Sequence, residues 1–172
     1  MSGMNFTETA REEAAMSKQG LLLFALFLAG CQTTATTDVN SLWFKIRPGS
    51  TLVLNQPVEI PAGEAHVDLQ NGRLAGSVDE YIVNCSLDIE NLGPHTVSTD
   101  TFQITDASDS QEWISQPDIM RFYKVLRLRS ERQPEVLKLV CQDWDGPLMG
   151  RPVTVGEIQQ AVGAYFSFKF AP

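Results

Sequence analysis

The chain has 172 residues, with 13 Lys+Arg against 21 Asp+Glu, a formal charge of −8 and a pI near 4.7. Its 43% hydrophobic and 20% charged content excludes a disordered chain, a collagen or a coiled coil. The acidic balance argues against general nucleic-acid binding, which needs a basic face. It stays at −7 when residues 1–30, with Arg11, Lys18, Glu8, Glu12 and Glu13, are set aside.

The first feature in the chain is an uncharged apolar run over residues 21–30, followed at once by Cys31. Ten helical residues rise about 15 Å, half of a roughly 30 Å hydrocarbon core. The run is therefore read as the apolar core of a secretory signal rather than a membrane span. Its end, Leu28-Ala29-Gly30-Cys31, resembles the lipobox of bacterial lipoproteins. The resemblance implies that the Cys31 thiol takes a diacylglyceryl group, that the chain is cut before it, and that the new amino group is acylated. Residues 1–30 are then a signal peptide, residues 31–40 a lipidated N-terminus and polar tether, and residues 41–172 a β-rich domain. Residues 1–15 are acidic, whereas a start at Met16 gives a conventional leader with Lys18. Gln32, where Asp would favour inner-membrane retention, implies delivery to the periplasmic face of the outer membrane, with a cell-surface location also open. Two or three acyl chains anchor stably where one does not.

Past the tether, apolar residues recur with period two. Short strands are predicted at Leu42–Arg47, Thr51–Asn55 and Val58–Ile60, with Pro57 and Pro61 as punctuation. Residues 64–70 put Ala65, Val67 and Leu69 on one face and end at Asn71-Gly72, a strong hairpin pair. Residues 80–90 put Tyr81, Val83, Cys85, Leu87 and Ile89 on one face. Strands are also expected at Thr101–Thr105 and Arg121–Arg129, with Asp106–Asp118 read as a long acidic loop carrying Trp113. Residues 134–142 align Leu137, Leu139 and Cys141, and Phe166, Phe168 and Phe170 alternate in the last strand, three rings that must be covered. Before that strand, Thr154 and Glu157 form a capping box for a helix with Val155, Ile158 and Val162 on one face and Gly163 as its stop. The expected fold is mainly β: a single antiparallel sandwich or partly open barrel with one short C-terminal helix, the sandwich being favoured.

Lipidation uses Cys31 and leaves Cys85 and Cys141 as an even pair in an oxidising compartment. Both fall on the apolar faces of their strands, so a disulfide across the core is expected. Closing that loop is worth roughly 4 kcal/mol in the chain-entropy model.

Motifs for catalysis are lacking: no G-x-S-x-G, no H-E-x-x-H and no phosphate-cradling glycine loop. His66 falls on the polar face of its strand and His95 in a loop; both read as surface residues. Asp143-Trp144-Asp145-Gly146 reads as a turn, not a calcium loop. No catalytic residue, metal site or cofactor is predicted. The most uneven charge lies at residues 121–132, where Arg121, Lys124, Arg127, Arg129 and Arg132 face Glu131 alone. Arg127 and Arg129 share the outward face of their strand, and Arg suits phosphate and carboxylate. Arg121, Lys124, Arg127 and Arg129 are thus candidate contacts for an anionic envelope partner; the competing expectation is cross-strand pairing with neighbouring acids.

Beyond the lipobox, the body loosely resembles small uncharacterised proteobacterial envelope lipoproteins, in the strand-borne Cys pair and the helix before the last strand. The expected role is that of a lipid-anchored, non-enzymatic accessory or binding module. Its partners would be the membrane through Cys31 and an envelope protein complex, lipopolysaccharide or peptidoglycan. A ligand- or glycan-binding domain with aromatics such as Trp43, Tyr123 or Trp144 is the alternative, and a hydrolase a distant third.

Overall fold

A computed structural model describes residues 36–172. The signal segment, the lipobox residues Leu28, Ala29 and Gly30, the Cys31 thiol and the first part of the tether lie outside the described residues.

Among the described residues eight strands form one antiparallel sheet: β1 (Thr51–Leu54), β3 (His66–Gln70), β4 (Arg73–Ala75), β5 (Asn84–Ile89), β7 (Asp100–Ser115), β8 (Ile119–Arg129), β9 (Val136–Asp145) and β10 (Phe166–Lys169). Their order across the sheet is β10-β1-β7-β8-β9-β5-β3-β4. Two short strands, β2 (Val58–Ile60) and β6 (His95–Val97), pair separately. The one α-helix among the described residues, α1 (Val155–Val162), touches β3 and β5 near one end of the sheet and β10 at the other. The sheet therefore curls into a half-barrel with α1 across its open side, the partly open form of the expected all-β fold.

Alternation explains the core. Val67, Leu87, Leu139 and Leu126 stand opposite one another on β3, β5, β9 and β8, and all four are buried. Ile158 and Val162 of α1 join the same core, with Leu52 and Phe102 from β1 and β7. Each such side chain contributes about 1.5–3 kcal/mol by leaving water.

The capping box forms as expected: the Glu157 N–H donates to Thr154 Oγ1 (3.3 Å), and the Thr154 N–H donates to Glu157 Oε2 (2.9 Å). At the other end of α1, Gly163 has φ 54. It packs directly on Gly72 of the Asn71-Gly72 turn, where φ is 53 and 75, as a two-residue type I′ hairpin requires. The Gly72 N–H donates to the carbonyl of Ala161 (2.9 Å). Two residues without Cβ thus let the helix end seat on the β3–β4 turn. The three C-terminal rings are covered in two ways: Phe166 is buried in the core and Phe168 packs against it, while Phe168 stacks on Phe170 at 5.5 Å and Phe44 meets Phe170 edge-on at 5.0 Å.

Four expectations fail, each for a local reason. Leu42–Arg47 forms no strand; it crosses the molecule as irregular chain and supplies Phe44 to the C-terminal rings. Tyr81 and Ile82 precede β5 in an exposed turn. Leu137 is exposed, because the register shifts between Asp88 and Ile89 where it meets β9. Asp106–Asp118 is no loop: β7 runs to Ser115 and pairs with β8 along its length as a long hairpin. Beyond Asp100–Gln103, where β1 pairs with it, no strand pairs the other edge of β7 among the described residues. That edge carries Asp106, Asp109 and Glu112, charges that deter pairing with another chain.

Candidate functional site

Cys85 and Cys141 are direct register partners on β5 and β9, fully buried, with sulfurs at bonding distance, 2.13 Å, and Cα atoms 4.0 Å apart. The bridge joins neighbouring strands of one sheet rather than crossing the core. Leu69 lies beside it on β3 and Lys124 on β8, so the disulfide forms part of an inward-facing row.

That row corrects the expected basic stripe. Lys124 has the parity of Leu126 and Leu128, points inward, and is almost wholly buried in an ion pair with Asp109 of β7. It is no surface contact. Arg121, Arg127 and Arg129 share the outer face. Arg121 is occupied: it pairs with Glu112 at 2.8 Å and lies 4.6 Å from the centre of the Tyr123 ring. Arg127 and Arg129 are exposed and make no ion pair among the described residues. Arg132, by contrast, pairs with Asp100 at 3.4 Å. Burial alone would raise the Asp100 pKa, but hydrogen bonds from Ser130, Gln133 and the Thr101 N–H, with the Arg132 charge, bring it below the usual carboxylate range.

A depression of about 600 Å³ occupies the outer face across β3, β5, β9 and β8. His66, Ser86, Asp88, Lys138, Arg121 and Tyr123 line it, with Val125 and Val140 as its floor. Lys138 pairs with Asp88 at 3.3 Å. Ser86 donates its hydroxyl to Asp88 (2.9 Å), not to His66, whose imidazole lies 3.7 Å from Asp68 and 3.8 Å from Glu64. Serine, histidine and carboxylate are therefore neighbours without the nucleophile-to-base hydrogen bond that acyl transfer uses. His95 lies on β6, 3.1 Å from Glu135.

Beside this depression the sheet ends in a polar cluster. Glu80 accepts from Gln142 Nε2 (2.6 Å) through its carboxylate and from the Trp144 N–H (2.7 Å) through its carbonyl, and the Tyr81 ring meets Trp144 edge-on at 6.0 Å. Arg121 Nε, Gln142 Oε1 and Trp144 Nε1 are buried and have no hydrogen-bond partner among the described residues. Arg121 and Trp144 are register partners, and Tyr123 faces Gln142. Buried polar atoms left without partners are costly, about 1–3 kcal/mol each, so a water or another polar group seated here would be stabilised.

The inner face at the same end is acidic. Asp143, opposite Phe122, and Asp145, opposite Met120, belong to β9 and not to a turn. Burial foremost, then the charges of Glu157 and Asp145, push the Asp143 carboxyl up to about 6 against the pull of Arg151. Glu157 is held at about 2, chiefly by its hydrogen bonds from Arg151 (2.9 and 2.5 Å) and further by the Thr154 cap. Sequence parity with Leu139 and Cys141 already places Asp143 inward. Among the described residues no group of three or more His, Cys, Asp or Glu is arranged to hold a metal ion, and no helix is long and apolar enough to cross a membrane.

No protein-family model matches the chain, and neither a curated protein nor a solved structure was found to be similar to it.

Proposed function

We propose that this protein is a lipid-anchored envelope component, held through Cys31 at the periplasmic face of the outer membrane, that binds an anionic envelope polymer without catalysis. The Leu28–Cys31 motif supports the anchor. A buried, bonded Cys85–Cys141 pair suits an oxidising compartment. The observation that carries the binding role is a pair of neighbouring exposed arginines. Arg121, Lys124 and Lys138 each have an acidic partner, whereas Arg127 and Arg129 stand side by side on the outer face with none among the described residues. In a domain with an excess of acids, two unpaired guanidinium groups on one strand favour a carboxylate- or phosphate-bearing ligand. The adjoining depression, with Tyr123 and Lys138, offers the ring-stacking and polar contacts that a glycan uses.

The test is retention of the lipidated protein on peptidoglycan sacculi and on lipopolysaccharide, with Arg127→Glu/Arg129→Glu as the variant. Both positions are exposed, so folding is unaffected. Retention is expected to fall at least tenfold and to weaken with salt, since two attractive contacts become repulsive. Equal retention of variant and wild type on both polymers would refute the binding role.

A further inference from the structure

One end of the half-barrel carries side chains that the binding role leaves unused. Leu148 is 96% exposed and Met149 79%, in the turn after β9; Trp113 and Ile114 are 45% and 42% exposed near the β7–β8 tip; Trp43 is 82% exposed. Register brings the first four together. Trp113 stands opposite Met120 and Met120 opposite Asp145, so the hairpin tip and the turn after β9 occupy the same end of three neighbouring strands. That turn is fixed in place: the Met149 and Gly150 N–H groups donate to the Gly146 carbonyl (3.0 and 2.9 Å), and Gly150 abuts the Phe122 ring. Trp43 lies on the segment between Asn40, which touches Gly156 of α1, and Lys45, 3.7 Å from Asp109 on the inner face of β7. The residue after Trp43, Phe44, meets the Phe170 ring beyond the Thr51–Lys169 pair, so Trp43 stands toward β1 and β10 and apart from the tip.

We infer that this end of the domain docks on the bilayer surface that holds the Cys31 acyl chains, with Trp113, Ile114, Leu148 and Met149 entering the interface between headgroups and hydrocarbon. The inference rests on the lipid-anchor reading. The route of the chain selects a membrane as the occupant. Thr36 is five residues from Cys31, so at most about 18 Å of chain separates the anchor from the described domain. Its first backbone contact with α1, from the Gly156 N–H to the Val39 carbonyl (2.9 Å), lies at the N-terminus of that helix. There Arg151 and Glu157 pair next to the Gly150 turn. A leash this short holds that end at high effective concentration against the lipid. Indole rings favour the membrane interface, and Arg151, whose side chain is 50% exposed and which adjoins the Gly150 turn, lies within reach of lipid phosphates.

The protein has three tryptophans, 43, 113 and 144, and the last lies on the outer face. Lipidated protein is reconstituted into phosphatidylethanolamine/phosphatidylglycerol vesicles with brominated acyl chains, as wild type and as single-Trp variants with Phe at the other two positions. Expected results are twofold or stronger quenching of Trp113, weaker quenching of Trp43, little at Trp144, and intermediate quenching of the wild type, which needs no substitution. Leu148→Asp/Met149→Asp, at exposed turn positions, should reduce the wild-type quenching while the protein still floats with the vesicles. Flotation with Cys31 acylated by mass spectrometry, but without quenching, overturns the docking alone. An unacylated Cys31 with no flotation overturns the anchor and the docking together.

Discussion

Replacing Asp143 with Asn should stabilise the domain at neutral pH and leave it unchanged near pH 4. The carboxyl sits on the inner face of β9, one oxygen has no hydrogen-bond partner among the described residues, and its pKa is raised from 3.8 to about 6 by burial first and by Glu157 and Asp145 next. A raised pKa means that the folded state binds the proton more tightly than the unfolded chain. The resulting stability is complete below about pH 4 and is lost as pH rises through about 6. Two pKa units correspond to about 3 kcal/mol, and solvent screening of a half-buried carboxyl reduces this to about 1–2 kcal/mol. Urea unfolding at pH 4, 5, 6 and 7.5 reads the effect directly. With a slope near 2 kcal/mol/M, the variant's midpoint should lie about 0.5–1 M above wild type at pH 7.5 and merge with it at pH 4. Glu157, held at about 2, has the opposite sign: its contribution is present above about pH 4.5 and is lost as pH falls toward 2. Both proteins retain Glu157, so its effect largely cancels in the difference. A gap that does not change with pH, or a less stable variant at pH 7.5, would show that burial and repulsion at Asp143 are not what the fold bears.

Three further outcomes test the packing. Removing the bridge with Cys85→Ala/Cys141→Ala should cost about 4 kcal/mol, because the two cysteines are 56 positions apart in the chain; a midpoint within 1 M urea of wild type contradicts this. Gly163→Ala forces a side chain into a left-handed conformation and against the Gly72 backbone, at a cost of about 2–4 kcal/mol, measured by thermal melting. Thr154→Ala removes the cap of α1 and should cost about 1 kcal/mol; because the Arg151–Glu157 pair remains, the loss should not exceed about 2 kcal/mol.

The strands that were legible in the sequence are those with one buried face. Val67 and Leu69, Cys85 and Leu87, and Leu139 and Cys141 alternate with polar neighbours because water lies on one side of them only. The Asn71-Gly72 turn and the Thr154–Glu157 cap were readable because backbone geometry admits few residue types at those places. The far half of β7 was not. From Asp106 to Ser115 it is exposed on both faces or nearly so, and only its pairing with β8 makes it a strand. The register shift between Ile104 and Asp106 also exchanges the two faces, so that Phe102 and Ile104 but then Ala107 and Asp109 point inward. Lys124 shows a different failure. Its parity with Leu126 was plain in the sequence, but its charge drew it into the basic stripe; that a buried lysine would find Asp109 across the strand needed the register. The three unpartnered atoms of Arg121, Gln142 and Trp144 left no trace in the sequence, since orphan status is a property of the packed sheet.

The two proposed contacts divide along one strand, and that division favours one ligand over the other. β8 starts beside the apolar tip, at Ile119, and ends at Arg129 on the outer face. Eight residue steps separate Arg121 from Arg129, up to about 26 Å at the rise of a strand. If the tip rests on lipid, Arg127 and Arg129 stand roughly that distance from the headgroups, beyond two Debye lengths at physiological ionic strength. They would then meet little of the phosphate on the anchoring bilayer. Peptidoglycan carboxylates, which lie away from the membrane, are the anions within their range. Sacculi should therefore retain the protein more strongly than lipopolysaccharide does, and the Arg127→Glu/Arg129→Glu variant should lose sacculus binding while its tryptophans remain quenched by lipid. Loss of both together would mean that the strand does not hold the two contacts apart.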